Sequence, residues 1–165
     1  MSRGFVKEED QEEVPLVPPR AHLPAGTENF VTANGLQELL DERETLLREQ
    51  ENLERSPEKE YRIAFNYLQA KLQLLNERIL SAKVVDFSKF SKNEVHFGAT
   101  VNFKNVESGE IQRFQIVGAD EANIRKGKIS FVTPLARVLL NKKPGEQTVL
   151  VLGRETRQLE IISIA

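Results

Sequence analysis

A heptad pattern extends from Thr32 to about Ala82 and limits the folds that this chain can adopt. In its second half, apolar residues recur at alternating spacings of four and three, which is typical of one coiled-coil seam. They are Tyr61, Phe65, Leu68, Leu72, Leu75, Ile79 and Ala82. The first half carries a matching stripe, made of Leu36, Leu39, Leu46 and Leu53. The pattern therefore predicts two antiparallel helices that are joined by a tight turn.

The sequence Ser56-Pro57-Glu58 separates the two halves and predicts where the second helix begins. Serine is a favoured N-cap, proline is favoured at the first helical position, and an acid is favoured in the first turn. The connection would then be about two or three residues long, and each arm would measure about 30–37 Å at 1.5 Å per residue.

Charged residues surround each narrow seam, so the two helices can cover one another but offer no second face to a core. This favours a projecting coiled-coil finger. Half of a helical bundle, or a hairpin that lies flat on the next domain, would also fit the pattern. Acids crowd the turn, and an acid near a helix C-terminus costs about 0.3–1 kcal/mol. We therefore expect the tip to meet a cation or a basic partner, with a merely solvated turn as the alternative.

Composition excludes several functional classes. The 165 residues include no cysteine, which rules out disulfides and cysteine-based zinc sites. No apolar run is long enough to span a membrane, and the default expectation is the cytoplasm. The net charges of residues 1–31, 32–86 and 87–165 are −3, −3 and +4. That balance does not favour direct binding to DNA phosphates.

Residues 1–31 have the composition of a leader. An acidic run at residues 8–13 is followed by four prolines, and apolar residues are sparse and have no period. Such a composition predicts a disordered or extended segment. Docking on a partner as an extended peptide is the alternative.

Residues 87–165 switch to β periodicity. Strands are predicted from Val95 to Phe103, with Gly98 as a bulge or close-approach position, and at 111–117, 129–132, 147–152 and 157–164. Thr133-Pro134 predicts an N-cap and a proline start for a short helix at 135–140. The fold class is therefore α+β, with an N-terminal antiparallel two-helix coiled-coil hairpin at 32–86. A small antiparallel β-domain with one short helix follows at 87–165.

The sequence contains no recognisable catalytic constellation. There is no phosphate-binding loop, and the two histidines, His22 and His96, stand in unrelated contexts that do not suggest a triad. On residue chemistry alone, this is a small interaction protein with a helical finger, and we expect it not to be an enzyme.

The C-terminal half resembles a known family. The segments that carry the resemblance are 95–101, 114–118 with the acids that follow, 127–130, and 133–145. In that order they are similar to the C-terminal domain of Gre-type bacterial transcription elongation factors. The hairpin is similar to the coiled coil of the same family, and only the leader lies outside the resemblance.

The resemblance implies an FKBP-like β-domain that docks on the rim of the RNA polymerase secondary channel, with the coiled coil inside the channel. The protein would be a monomer with only indirect contact to nucleic acid and none to membranes. The docking role would fall on the loop before the short helix and on two nearby acids. The implied docking residues are Asp120, Glu121, Ser130, Phe131, Val132, Thr133 and Pro134.

At the tip, the family uses two acids to help hold a catalytic magnesium ion for cleavage of backtracked RNA. The family's Gly-Asp-x-x-Glu-Asn signature is absent here, and the hairpin is shorter by about 10 Å of reach. The nearest candidate acids are Glu54, Glu58 and Glu60. We expect no cofactor other than Mg²⁺ shared with the polymerase active centre. The alternatives are a non-cleaving channel-binding regulator or inhibitor and, from the FKBP-like fold, a peptidyl-prolyl isomerase.

Overall fold

The computed structural model describes residues 14–165 of the chain. In chain order, the helices and strands are β1 (Asn29–Val31), α1 (Ala33–Glu51), α2 (Glu58–Ser81), β2 (Ala82–Val84), β3 (Thr100–Asn105), β4 (Ile111–Val117), β5 (Lys128–Ser130), α3 (Pro134–Leu139), β6 (Gln147–Leu152) and β7 (Glu155–Ile164). The α+β fold class is confirmed, with a helical hairpin followed by a β-domain.

Helices α1 and α2 form the predicted hairpin around one leucine seam. The buried members of the seam are Leu39, Leu46, Leu68, Leu72 and Leu75, with Leu53 and Ile79 packed against them. Each fully buried leucine contributes about 1.5–3 kcal/mol relative to exposure. Within the seam, Gln50 donates a hydrogen bond from Nε2 to Oε1 of Gln69 across the two helices, at 2.9 Å. The polar seam position therefore finds its partner on the opposite helix.

The connection between the helices is longer than the sequence suggested. Helix α1 ends at Glu51 and α2 begins at Glu58. The prediction of Ser56 as N-cap is wrong, because Pro57 takes that position and makes no side-chain capping bond. Leu53 still packs on the seam although it lies outside the helix. The seam periodicity continues to Leu53, beyond the end of α1 at Glu51, and for this reason it predicts a connection that is too short.

The C-terminal end of the predicted leader forms strand β1, so this part is extended rather than disordered. Strand β1 pairs in parallel with β2, so that the segments before and after the hairpin lie side by side. Asn29 is buried and donates from Nδ2 to the Arg78 carbonyl at 3.0 Å. A three-residue strand whose partner lies beyond two helices leaves no periodic signal. Residues 1–13 of the predicted leader, which include the acidic run at 8–13, lie outside the described residues.

The β-domain is a five-stranded sheet in the order β5-β4-β3-β7-β6. Three strand pairs are antiparallel, whereas β4 and β5 run parallel, so the sheet is mixed rather than purely antiparallel. The polar loop and 3-10 turn between β4 and β5 provide the crossover. The inner face and α3 enclose one apolar core, whose largest fully buried side chains include Phe103, Ile116, Leu139 and Ile161.

Gly98 ends a turn rather than interrupting a strand. Strand β3 begins only at Thr100, so the predicted strand from Val95 was too long. Gly98 has a φ of 86°, and a Cβ there would overlap the ring of Phe87. The close-approach prediction is therefore correct. Its partner is the aromatic side chain that anchors the linker from the hairpin.

Candidate functional site

The hairpin tip presents its three candidate acids to solvent. Glu58 and Glu60 lie in the first turn of α2, where the helix macrodipole favours carboxylates. Glu54 lies in the connection, beyond the end of α1. Glu54 and its neighbours Glu58 and Glu60 are exposed. Helix-dipole cost therefore does not apply to these three acids, and their exposure leaves them available to a partner.

An aromatic pair supports the tip from below. The Arg55 guanidinium lies 5.6 Å from the ring centroid of Tyr61, which in turn contacts Phe65 at 5.8 Å. A cation over an aromatic face contributes about 0.5–1 kcal/mol at an exposed site. The connection is thus held by side-chain contacts even though Pro57 caps nothing.

The tip acids do not make a metal site on their own. Among residues 14–165, no three His, Asp or Glu side chains are grouped so that they could hold a metal ion. Exposed carboxylates at the tip can supply one or two oxygen ligands, and Mg²⁺ is commonly bound through one or two carboxylates plus other ligands. A magnesium ion at this tip would therefore need further ligands from a partner.

The predicted docking loop leads into α3. Ser130 is buried, Phe131, Val132 and Thr133 are half-buried, and Pro134 is exposed. Thr133 is the N-cap: its Oγ1 accepts from the Ala136 N–H at 3.3 Å and donates to the Ser130 carbonyl at 2.8 Å. The predicted cap and proline start of this helix are confirmed. These hydrogen bonds tie the loop to the start of α3, and its most accessible residue is Pro134.

Phe131 faces inward, toward strand β1. Its ring lies 5.7 Å from that of Phe30 and 5.6 Å from that of Phe97, and the latter two are 6.2 Å apart. Aromatic rings at these separations contribute about 0.5–1.5 kcal/mol beyond their area burial. This trio joins the docking loop to the strand that precedes the hairpin.

Asp120 lies at the junction between hairpin and β-domain, with a side chain that is only 6% exposed. It accepts a hydrogen bond from Nε of Arg20 at 3.0 Å, and Nε of Arg78 lies 3.7 Å from its other oxygen. The same arginine, Arg20, makes two hydrogen bonds of 2.9 Å to Glu42 on α1. These bonds to Glu42 are the main cause of a raised pKa for Arg20.

Glu121 is also committed inside the molecule. It is buried, accepts a hydrogen bond from the Thr32 hydroxyl, and has Lys128 Nζ at 3.3 Å. The Thr32 hydroxyl simultaneously caps α1 by accepting from the Gly35 N–H at 2.9 Å. Glu121 therefore fixes the first turn of α1 on the β-domain. The structure brings Asp120 and Glu121 together at this junction, away from the tip acids.

A cleft of about 470 Å³ opens beside this junction. Its lining includes Asn34, Asp86, Glu121 and Lys128, so its polar groups are mixed in charge. The Ser88 hydroxyl and N–H lower the pKa of Asp86. An isomerase of the FKBP type needs an aromatic-lined pocket, whereas Phe87 is the one aromatic side chain that lines this cleft.

Sequence reasoning missed Arg20, Arg78 and Thr32 as junction residues. Arg20 and Asp120 are 100 positions apart, and Arg20 lies in no recognisable motif. Thr32 was expected only as a cap. Its second role, as a donor to a buried carboxylate, depends on a tertiary contact that has no sequence signature.

Comparison with known proteins gives one family. Residues 90–165 match the family described as transcription elongation factor GreA/GreB, C-terminal. The transcription elongation factor GreA of Thermodesulfovibrio yellowstonii is 36% identical over 100 residues, which cover 61% of this chain and 63% of that protein. That of Hyphomonas neptunium is 33% identical over 99 residues, covering 60% and 63% respectively. The chain thus spans about 63% of the length of these curated relatives.

Two solved structures are similar at low sequence identity. The prokaryotic GreA/GreB elongation factor from Nitrosomonas europaea is 19% identical, with a TM-score of 0.42 and coverage of 82% of this chain and 98% of that one. GreA factor homolog 1 of Thermus thermophilus is also 19% identical, with a TM-score of 0.40 and coverage of 84% and 99%. Residues 90–165 are thus similar to the C-terminal domain of GreA/GreB elongation factors, and the curated relatives support a Gre-type family.

Proposed function

We propose that this protein is a transcription elongation factor that binds RNA polymerase and inserts its hairpin into the secondary channel. The observation that carries the proposal is the match of residues 90–165 to the GreA/GreB C-terminal domain. The hairpin supports it, since α2 has 24 residues and so spans about 36 Å. Its contacts to the β-domain come from the base, which leaves the acidic tip free to enter a channel.

Docking on the polymerase would centre on Val132, Thr133 and Pro134. Proline at the first position of α3 presets the backbone, so little conformational entropy is lost on binding. Asp120 and Glu121 would act indirectly, because their carboxylates are occupied by Arg20, Thr32 and Lys128. This narrows the docking surface that the family resemblance implied.

The factor would bring no catalytic centre of its own to transcription. Glu54 and Glu58 would act inside the polymerase, as ligands to a magnesium ion that the polymerase also holds. A metal position is sensitive to error, since a misplacement of about 1 Å can cost about a hundredfold in rate. The reach of the tip therefore decides between stimulation of RNA cleavage and simple occupation of the channel.

The docking surface is tested by binding of the full chain to core RNA polymerase. Pro134→Glu places a charge on the exposed end of the loop and should weaken binding at least tenfold. Pro144→Glu is the matched control, because Pro144 is also exposed but lies after α3. If Pro134→Glu, Pro144→Glu and the unchanged chain bind core RNA polymerase with equal affinity, this docking surface is wrong.

The role of the tip is tested on backtracked elongation complexes with magnesium. Glu54→Gln/Glu58→Gln should bind the polymerase as well as the unchanged chain. If the unchanged chain stimulates RNA cleavage and the double variant does not, the two acids act as ligands of the shared metal ion. Slowed elongation by both proteins without cleavage would assign a channel-occupying regulator. Failure of the unchanged chain to bind polymerase would overturn the proposed function.

A further inference from the structure

The segment that precedes the hairpin makes one contact that reaches three separate parts of the fold. Arg20 bonds to Glu42 on α1 through both terminal nitrogens and to Asp120 on the β-domain through Nε. Arg78 on α2 lies against the other oxygen of Asp120 and donates from Nη2 to the carbonyl of Ala21. The leader, both helices and the β-domain therefore meet at one cluster of four charges.

These charges are poorly suited to a purely stabilising role. Side-chain exposure is 19% for Arg20, 15% for Arg78 and 6% for Asp120, so these three charges are largely removed from water, whereas Glu42 is 41% exposed. Within the described residues, Asp120 Oδ2 and Arg78 Nη1 are buried without a hydrogen-bond partner. The desolvation cost of buried ion pairs often equals their attraction, and such pairs are better attested as devices that select one arrangement.

The geometry of the guanidinium favours such selection. Arginine presents its donors in a rigid planar fork. In Arg20, the two terminal nitrogens donate to the two carboxylate oxygens of Glu42, and Nε donates to Asp120. A change in the angle between hairpin and β-domain would separate Glu42 from Asp120. Arg20 would then have to release either Glu42, which is 41% exposed, or Asp120, whose side chain is 6% exposed.

We propose that Arg20 is a positioning residue, which acts through Asp120 and Glu42 to fix the angle of the hairpin on the β-domain. The segment around Arg20 then holds the hairpin and the β-domain together at the junction. As a result, the hairpin tip has one defined position relative to the loop that ends at Pro134. Only the consequence for reach inside a polymerase rests on the proposed function. The angle itself is a property of the free protein.

The test is a distance measurement in the full chain without polymerase. The sequence has no cysteine, so Ser56→Cys at the tip and Arg154→Cys in the β6–β7 turn can carry two spin labels. With Arg20 in place we expect one narrow distance distribution. Arg20→Gln and Glu42→Gln should each broaden it or add a second population, while helical circular dichroism stays unchanged. Arg20→Lys should restore it only in part, since a point charge cannot bridge both acceptors with the same geometry.

Lys83→Gln is the matched control, because it removes another leader ion pair, the exposed one between Lys83 and Glu28 at 2.5 Å. It should leave the distribution narrow. A narrow, unshifted distribution in both Arg20→Gln and Glu42→Gln would overturn the proposal. Loss of cooperative folding in Arg20→Gln would also overturn it, since Arg20 would then be a structural residue. Because polymerase is absent, these results do not depend on the docking or cleavage experiments.

Discussion

At the scale of single residues, the junction depends on close approaches that only particular side chains permit. A Cβ on Gly35 would lie 2.8 Å from Oε1 of Glu121, the oxygen that accepts from Thr32. Glycine in a helix normally costs about 0.5–1 kcal/mol relative to alanine. Here the missing Cβ leaves room for the buried Glu121 carboxylate. The hydrogen bond from Thr32 to that carboxylate offsets the lower helix propensity of glycine.

Gly35→Ala should therefore lower the free energy of unfolding by about 1 kcal/mol, because disturbing a hydrogen bond to a charged group costs about 1.5–3 kcal/mol and outweighs the propensity gain. In a Glu121→Ala background the same change should become stabilising, since the obstacle is gone. Urea unfolding of the four proteins measures both values. The same sign in both backgrounds would show that Glu121 does not explain Gly35.

Gly98→Ala should be severely destabilising, whereas Gly145→Ala should cost only about 1–2 kcal/mol. Both glycines have a left-handed φ, of 86° and 88° respectively, so the backbone cost is matched at that magnitude. A Cβ at Gly98 would overlap the Phe87 ring, whereas a Cβ at Gly145 has open space. Thermal unfolding followed by circular dichroism compares the two. Equal losses would mean that Phe87 can move aside without cost.

At the scale of elements, hydrophobic periodicity and capping residues predicted those helices and strands whose position depends on nearby residues in the sequence. The seam leucines, strands β4 and β6, and the Thr133 cap of α3 lie where periodicity and capping chemistry placed them. The prediction missed the true end of α1, the parallel pairing of β1 with β2 and of β4 with β5, and the late start of β3. Each of these features is decided by a tertiary partner, which a local pattern does not contain.

The seam itself provides the sharpest test at this scale. Leu68→Asp places a charge at a buried seam position and should cost several kcal/mol. We expect a large loss of helical circular dichroism while the β-domain remains folded. Ile63→Asp is the matched control on the same helix, because Ile63 is 60% exposed, and it should change helicity little. Equal effects would show that the seam register is wrong.

At the scale of the whole molecule, the hairpin and the β-domain are joined by side chains that are far apart in sequence. The contacts of Asp120 and Glu121 turn two acids that the family resemblance placed at a docking surface into parts of the junction. The similarity to the GreA/GreB C-terminal domain could be predicted from sequence, because the motifs that carry it are local. The junction could not, because its residues lie up to 100 positions apart.

The proposed function requires that the hairpin tip enters the RNA polymerase secondary channel while the β-domain docks outside. The most direct measurement is crosslinking from single cysteines that carry a photoreactive group, at Ser56→Cys on the tip and at Arg154→Cys on the β-domain, in stalled elongation complexes. We expect the tip to crosslink to polymerase residues inside the channel near its active centre, and Arg154→Cys to give no crosslink there. Tip crosslinks confined to the outer surface of the polymerase, or none at all, would contradict the account.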